Sequence, residues 1–251
     1  PYHAKPLCED PLAAPLLGGA YGALLRSAER APSLARALVQ LGDTCSGGRT
    51  RFMCFRTRVL DDAVRNAAIA GIDQLVILGA GLDARAWRLG AAVERMTVFE
   101  VDHPDTQALK RTRLGDRAAH AAKVHFVGMN FEQDALDVRL LAAGFNPARP
   151  ALVLWEGVVM YLESAAIDAT LATMYRLLPA GSSFAISYSR TGSGSGFLLR
   201  RGLGAVVAAA GERFLHHEEP AGMRARVERV GFRVAWDEGH PDWAPRLLGS
   251  E

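Results

Sequence analysis

The stretch VILGAGLDARAWRL, residues 76–89, decides the fold class. A run of apolar, β-forming residues ends at Leu78, and Gly79 and Gly81 follow. An acid, Asp83, then precedes a segment of helical composition. Glycine is needed where a backbone passes close to a ligand, because a Cβ would hold the chain away. The stretch therefore predicts a strand, a glycine turn at a binding crevice and a helix.

Four further apolar runs follow this pattern, with helical segments between them. The predicted strands are 74–78, 96–102, 123–129, 151–157 and 183–189. The predicted intervening helices are 84–90, 104–114, 133–143 and 163–178. Apolar strands that alternate with amphipathic helices indicate a mostly parallel sheet covered on both faces. Since crossovers in such sheets are right-handed, we expect an α/β fold with a Rossmann-like, doubly wound sheet.

The chain is predicted to form a single domain over residues 1–251. Its expected parts are an N-terminal helical cap (1–71), a core (72–188), a helical lid insertion (189–217) and a C-terminal part (218–251). The lid begins with the Gly/Ser-rich stretch SRTGSGSGF and continues into a predicted helix at 198–215. The C-terminal part is predicted to contain a helix, a stop at Gly231 and a strand at 232–236.

Composition excludes several classes of function. The formal net charge is +2 and the basic residues are dispersed, which argues against nucleic acid as a partner. No apolar segment reaches the length of a membrane span, and no leader pattern opens the sequence. The three cysteines show no CxxC or Cys/His spacing, so we predict reduced thiols, no metal site and a cytoplasmic location. The oligomeric state stays open.

The second predicted strand supplies acids at the expected distance from the glycine turn. Glu100 and Asp102 lie 21 and 23 residues after Gly79 in the stretch FEVD. Strand alternation puts both acids on one face and Val101 on the other. Either carboxylate could accept hydrogen bonds from the ribose hydroxyls of a nucleoside-bearing cofactor.

Two features favour S-adenosylmethionine over a nicotinamide dinucleotide. A helix N-terminus that binds a diphosphate is best left without a neighbouring negative charge, and Asp83 lies at that position. An acid there suits a sulfonium or an ammonium, although a helix N-cap is the other role open to Asp83. In addition, residues 1–73 precede the first strand, whereas a dinucleotide domain usually opens with it.

Five motifs follow one another along the chain: EDPLAAPLL (9–17), RTRVLDDAV (56–64), LGAGLDARAWRL (78–89), VFEVDHP (98–104) followed by Lys110, and EGVVMYL (156–162). In order and spacing they resemble the leucine carboxyl methyltransferase-like family, which groups phosphatase carboxyl methyltransferases with bacterial polyketide-type O-methyltransferases. The similarity runs from about residue 9 to about residue 180. The resemblance implies a class I methyltransferase fold and S-adenosylmethionine as the cofactor.

The resemblance also implies roles for individual residues. An arginine of the helix before the first strand binds the methionine carboxylate, and Arg58 is the best match, with Arg56 close behind. Gly79 and Gly81 would pass under the methionine part of the cofactor. Asp102 would bind the ribose.

The remaining implied contacts follow the third and fourth strands. Asn130 and Phe131 replace the family's Asp-Leu pair at the adenine, where the amide oxygen could accept a hydrogen bond and the ring could stack. Glu156 would face the ammonium or sulfonium, with a helix cap as its other role. Tyr161 is assigned to the acceptor, or else it packs beneath the lid.

These features predict an S-adenosylmethionine-dependent O-methyltransferase that acts on a carboxylate or phenol of a small molecule. A carboxylate needs no general base, whereas a phenol would use one such as histidine. His103 is interpreted as structural or as a neighbour of the cofactor. The pair His216 and His217 is interpreted as a solvated surface turn, with contact to an acceptor as its other role. Two alternatives stay open at this point: an NAD(P)-dependent oxidoreductase, although no Tyr-x-x-x-Lys occurs, and a non-catalytic nucleoside-binding protein.

Overall fold

The computed structural model describes residues 7–45, 48–131, 133–189 and 215–248. The strands are β1 (Gln74–Leu78), β2 (Thr97–Asp102), β3 (Lys123–Gly128), β4 (Leu152–Trp155) and β5 (Ser183–Ile186). The helices before β2 are α1 (Ala13–Leu17), α2 (Gly19–Arg30), α3 (Pro32–Cys45), α4 (Arg49–Ile69) and α5 (Arg85–Arg88). Those that follow are α6 (Pro104–Leu114), α7 (Leu136–Ala142), α8 (Ser164–Leu177), α9 (Pro220–Val230) and α10 (His240–Leu248), and 3-10 turns cover Gly90–Ala92 and Val159–Tyr161.

The five strands form one parallel sheet with the order β3-β2-β1-β4-β5. β1 is central, and its Val76 lies opposite Phe99 of β2 and Val153 of β4. The strand order reverses at β1, because β2 and β3 lie on one side of it and β4 and β5 on the other. This topology confirms the predicted α/β, doubly wound class, and it places a ligand crevice at the carboxyl ends of β1 and β4.

Both faces of the sheet are covered, which explains the continuous apolar composition of the strands. Every residue of β1 is buried. Val76 and Leu78 belong to an apolar cluster with α7 and α8, whereas Leu75 and Ile77 belong to a second cluster with α4 and α5. The alternation follows from the two-residue period of a strand. Each face of β1 therefore holds its own set of helices.

Helices α1 to α4 precede the sheet, as predicted for the described part of residues 1–71. α4 packs Leu60 and Val64 into the core against the sheet. It gives way to β1 at Gly71, whose φ of +78° is a conformation that glycine adopts without strain. Since α4 leads back to the start of β1, the middle of α4 lies near the carboxyl edge of the sheet.

The predicted strand at 232–236 is wrong, because residues 232–239 are irregular and α10 follows them. The apolar signal came from packing: the ring of Phe232 lies 5.2 Å from that of Tyr175 and 5.7 Å from that of Phe184, measured between centroids. A strand also needs a neighbouring strand to which it is hydrogen-bonded. On this side of the sheet the strand that pairs with β4 is β5, and not residues 232–236. The predicted helix at 198–215 lies outside the described residues apart from its last position.

In the part of the chain that the structure describes, no helix is long and apolar enough to cross a bilayer. α4 is the longest there, at 21 residues, and it carries arginines and aspartates along its length. Among those same residues, no three His, Cys, Asp or Glu side chains converge as metal ligands.

Candidate cofactor-binding site

The glycine turn between β1 and α5 has two distinct parts. Gly79 and Gly81 have φ values of +66° and +49°, so both adopt the left-handed conformation. A Cβ on Gly79 would lie 2.2 Å from Cγ2 of Val158, whereas the nearest atom to a Cβ on Gly81 would be 4.0 Å away. Gly79 therefore makes room for the loop after β4. Gly81 alone faces open space at the crevice.

Gly79→Ala is expected to lower the free energy of unfolding by about 3 kcal/mol, because it combines a left-handed φ with a steric overlap. Gly81→Ala is the matched control, with the same backbone strain but no overlap, and should cost roughly 1 kcal/mol. Urea unfolding measures both. Adding Val158→Ala should recover part of the stability lost in Gly79→Ala but none of that lost in Gly81→Ala. If the effects of Gly79→Ala and Val158→Ala were strictly additive, the two side chains would not be in contact.

Asp102 ties the glycine turn to the end of β2. Its Oδ2 accepts a hydrogen bond from the Gly81 amide at 2.5 Å, and its Oδ1 accepts from the His103 amide at 2.6 Å. Each carboxylate oxygen keeps a further lone pair. The side chain is partly exposed at the carboxyl edge of the sheet. Asp102 is therefore both a brace for the turn and an available acceptor for a ligand hydroxyl.

Glu100 is buried away from the crevice, so its predicted contact with a ribose is wrong. Its side chain is 1% exposed, and Nζ of Lys110 lies 2.5 Å from its Oε2. Lys110 also lies over the ring of Trp87, 5.2 Å from the centroid. Strand alternation does put both acids on one face, but α6 covers that face at Glu100 and leaves it open at Asp102.

Lys110→Met is expected to destabilise the protein more at about pH 8.5 than at about pH 5.5. Burial raises the pKa of Glu100 to about 7 against the opposing effect of Lys110. A folded pKa above the unfolded one means that stability is lost as pH rises through the folded pKa. Without Lys110, ionisation of the buried Glu100 carboxyl costs still more folding free energy. Thermal unfolding measures this, and Arg95→Met, at an exposed position, should show no such dependence on pH.

Arg85 contacts three carboxylates below the glycine turn. The sequence motifs assigned no role to this residue. Its Nε lies 2.8 Å from Oδ1 of Asp61, and its Nη1 lies 2.8 Å from Oε2 of Glu156. Nη1 also contacts Asp83. The Arg85 side chain is 3% exposed, and Arg88 binds both oxygens of Asp61 at 2.6 and 2.7 Å. In the sequence, this network is signalled only by the spacing of Asp83, Arg85 and Arg88 within the motif LGAGLDARAWRL.

Asp83 is a partner of Arg85. Its Oδ1 accepts from the Arg85 amide at 2.7 Å and its Oδ2 contacts the guanidinium. Burial acts to raise the pKa of Asp83, but the charges of Arg85, Lys110 and Arg88 and the hydrogen bond from the Arg85 amide together outweigh it, and the pKa lies below its usual value. The α5 N-cap is Ala84. The structure thus pairs Asp83 with Arg85 beneath the glycine turn, and a contact of Asp83 with the sulfonium or ammonium stays a prediction.

Arg56, and not Arg58, reaches the carboxyl edge of the sheet. Nε of Arg56 lies 2.7 Å from Oε1 of Glu156, and the Arg56 side chain is 15% exposed. Arg58 pairs with Asp62 at 2.8 Å, its Nη1 donates to the carbonyl of Leu7, and it is 40% exposed. Residues two positions apart on an α-helix are rotated by roughly 200° about the helix axis, so Arg56 and Arg58 face opposite sides of α4. The preference for Arg58 is therefore wrong in this geometry.

Glu156 lies at the carboxyl end of β4, where Arg56 and Arg85 each hold one of its oxygens. The cap positions of the next two elements are Val158 and Glu163, so Glu156 caps neither. It lies beside the topological switch point between β1 and β4. The Arg56–Glu156 pair thus presents one positive and one negative group to the crevice.

Asn130 and Phe131 form the turn after β3. The Asn130 amide donates to Oδ2 of Asp134 at 2.8 Å, and Phe131 packs against the apolar cluster under α7 and α8. The preceding Met129 amide donates to the carbonyl of Asp102 at 2.9 Å. The turn therefore lies directly beside the end of β2, and the adenine contact of Asn130 and Phe131 stays a prediction.

Tyr161 ends the 3-10 turn after β4, and the backbone of His216 is hydrogen-bonded to the preceding residue, Met160. The carbonyl of Met160 accepts from the amide of His216 at 3.1 Å. His216 is 14% exposed, with Nε2 at 2.9 Å from Oε2 of Glu218, and Nδ1 of His217 lies 3.1 Å from Oγ of Ser189. The interpretation of this pair as a solvated turn is wrong, and no spacing in the sequence signalled the contact.

His103 is the N-cap of α6, since its Nδ1 accepts from the amide of Asp105 at 3.3 Å. The ring is about half exposed and lies next to Asp102. This agrees with the structural role expected from the sequence.

The sheet order and the turn at its switch point define a class I methyltransferase fold, and two solved structures share it. One is a "putative methyltransferase" from Thermobifida fusca YX, with a TM-score of 0.53 and 20% identity, covering 76% of this chain and 71% of that one. The other is a DUF574 family protein from Streptomyces avermitilis MA-4680, with a TM-score of 0.54 and 17% identity, covering 70% and 68%. At these identities the similarity shows the fold.

The sequence comparisons show the family. The profile of leucine carboxyl methyltransferase matches residues 2–175, and the chain belongs to this family. A relative from Mycolicibacterium gilvum is 38% identical over 188 residues, covering 72% of this chain and 60% of the relative. A relative from Mycobacterium ulcerans is 32% identical over 231 residues, covering 90% and 68%. Both are named "Putative S-adenosyl-L-methionine-dependent methyltransferase". The chain spans about three fifths of the length of the first relative.

Proposed function

We propose that the protein transfers a methyl group from S-adenosylmethionine to a carboxylate or phenolic oxygen of a small molecule. The observation that carries the proposal is the Arg56–Glu156 ion pair beside the glycine turn that Asp102 braces. A guanidinium and a carboxylate side by side suit the carboxylate and ammonium of an amino acid. Membership of the leucine carboxyl methyltransferase family supports the same conclusion.

The residues divide the cofactor between them in this proposal. Arg56 binds the methionine carboxylate, and Glu156 binds the ammonium. Gly81 leaves room for the methionine part, and Asp102 accepts from the ribose hydroxyls. Asn130 and Phe131, which follow β3, contact the adenine. The bound cofactor supplies an electrophilic methyl group.

Methyl transfer from a sulfonium is an in-line displacement, so the chain's main task is to align the acceptor oxygen and exclude water. We place Tyr161 at the acceptor because it ends the turn that follows Glu156. A carboxylate arrives as an anion, whereas a phenol must lose its proton during transfer. A cytoplasmic location, predicted from the cysteine spacing in the sequence, is part of the same proposal.

Calorimetric titration with S-adenosylhomocysteine tests the cofactor, with NAD as the control. Micromolar binding of the first ligand and none of the second is the expected result. The reverse result would establish the oxidoreductase alternative. Transfer of a radiolabelled methyl group to a panel of small aromatic acids and phenols then tests turnover. Binding without turnover of either class would favour a non-catalytic cofactor-binding protein.

His216→Ala is expected to lower the turnover of phenolic acceptors about 100-fold and to leave aromatic acids unaffected. Glu218 holds Nε2 of His216, which leaves Nδ1 as the proton acceptor. His120→Ala is the control, because His120 accepts from the Gly90 amide at the opposite edge of the sheet. An equal loss with both acceptor classes would make His216 a structural residue.

A further inference from the structure

Two cysteines that are distant in sequence meet beside the N-terminal half of α4. Leu7 is buried with Phe55 and Trp243, and Cys54 packs against the same apolar cluster. This contact brings the following residue, Cys8, onto α4, where its thiol and that of Cys54 share a hydrogen bond. Both cysteines are free and partly exposed. The pair has no part in the proposed cofactor site.

A cavity of about 210 Å³ gives small molecules access to Cys8. Cys8 lines it together with Arg58, Arg65 and Arg88. The side chains of Arg58 and Arg65 are exposed, so the cavity reaches solvent at that side. An oxidant therefore reaches Cys8 through the cavity, and Cys54 is itself partly exposed.

We propose that Cys8 and Cys54 are a redox modification site that a peroxide oxidises to a reversible disulfide. The Cys54 thiolate attacks one peroxide oxygen, the O–O bond breaks, and hydroxide leaves and takes up a proton as water. The Cys8 thiol then attacks the sulfur of the Cys54 sulfenic acid. An S–S bond forms and a second water leaves, so one peroxide is reduced for each disulfide. A dithiol reductant reverses the step.

The two thiols have the unequal character that this sequence of steps requires. The hydrogen bond from Cys8 lowers the pKa of Cys54 to about 7, against the effect of burial. The same hydrogen bond and burial raise the pKa of Cys8. Cys54 is therefore the nucleophile toward the oxidant and Cys8 the resolving thiol.

The disulfide would tie residues 7–10 to α4 next to the charge network of the cofactor site. Carbonyl groups of this segment already accept from Arg58 at Leu7 and from Arg88 at Glu9, each at 3.5 Å. Arg88 in turn binds Asp61. A crosslink between Cys8 and Cys54 closes the chain between these two residues into a loop. It should raise the melting temperature by roughly 10 °C.

Thiol counting on the full chain tests the proposal, before and after treatment with hydrogen peroxide. Of the three cysteines in the sequence, one free thiol should remain, with recovery of all three on addition of dithiothreitol. Peptide mapping should find Cys8 linked to Cys54, and the melting temperature should rise. Cys45→Ser is the matched control and should form the same bond with the same shift.

Cys8→Ser and Cys54→Ser should each keep their melting temperature in peroxide and form no intramolecular bond. A disulfide that contains Cys45 would overturn the proposal. So would oxidation of Cys54 to the sulfinic acid with Cys8 still free. S-adenosylhomocysteine affinity of the reduced protein is measured in parallel, so a failure of the proposed methyl transfer is separable from a failure of the thiol chemistry.

Discussion

Arg56→Ala is expected to weaken binding of S-adenosylhomocysteine about 100-fold. The substitution removes the charged hydrogen-bond partner of the ligand carboxylate, and such a loss costs roughly 2 to 5 kcal/mol of binding free energy. The structure places this guanidinium 2.7 Å from Glu156, at the end of β4. Isothermal titration measures the affinity. Glu156 keeps Arg85 as a partner in the variant, so the protein should remain folded.

Arg58→Ala is the matched control, because it removes the same side chain from the same helix two positions further on. Arg58 faces Asp62 and Leu7, away from the crevice, and its removal should change affinity less than about threefold. Circular dichroism checks the fold of both variants. If Arg58→Ala lost the affinity and Arg56→Ala kept it, the cofactor would bind on the other side of α4 and the proposed site would be wrong.

Arg85→Met is expected to lower the free energy of unfolding by about 3 to 5 kcal/mol, because it leaves buried carboxylates without their cation. Asp61, Asp83 and Glu156 all contact this one guanidinium, which is almost fully buried. Urea unfolding followed by circular dichroism measures the change. The lowered pKa of Asp83 adds a pH signature. Its stabilising contribution is present above the unfolded pKa and is lost as pH falls through the folded one.

Arg65→Met is the control for Arg85→Met. Arg65 makes one ion pair with Asp62 on the exposed side of α4, and such pairs contribute at most about 1 kcal/mol. The Arg85 variant should also become less sensitive to acid, because its Asp83 has a higher pKa and less stabilisation to lose. Equal effects of the two substitutions would show that the network beneath the glycine turn is not a buried unit.

The strands and the doubly wound class of the sheet were predictable because their signals are local. The runs at 74–78, 96–102 and 123–129 are apolar over a strand length, and right-handed crossovers limit how such strands can be arranged. The strand predicted at 232–236 failed for the opposite reason. Its apolar residues look like those of a strand, but pairing depends on a neighbouring strand and not on the segment itself.

The sequence by itself determined the fold class, the glycine turn, the family and the position of Asp102, because backbone conformation and motif spacing are written along the chain. Only the tertiary structure decided which side chains meet at the crevice. It placed Arg56 there instead of Arg58, buried Glu100 beneath α6, and paired Asp83 with Arg85. Spacing places residues on a common face of a helix or strand. Which face another element covers is set by the packing of the whole domain, and that packing separates a buried ion pair from a binding group.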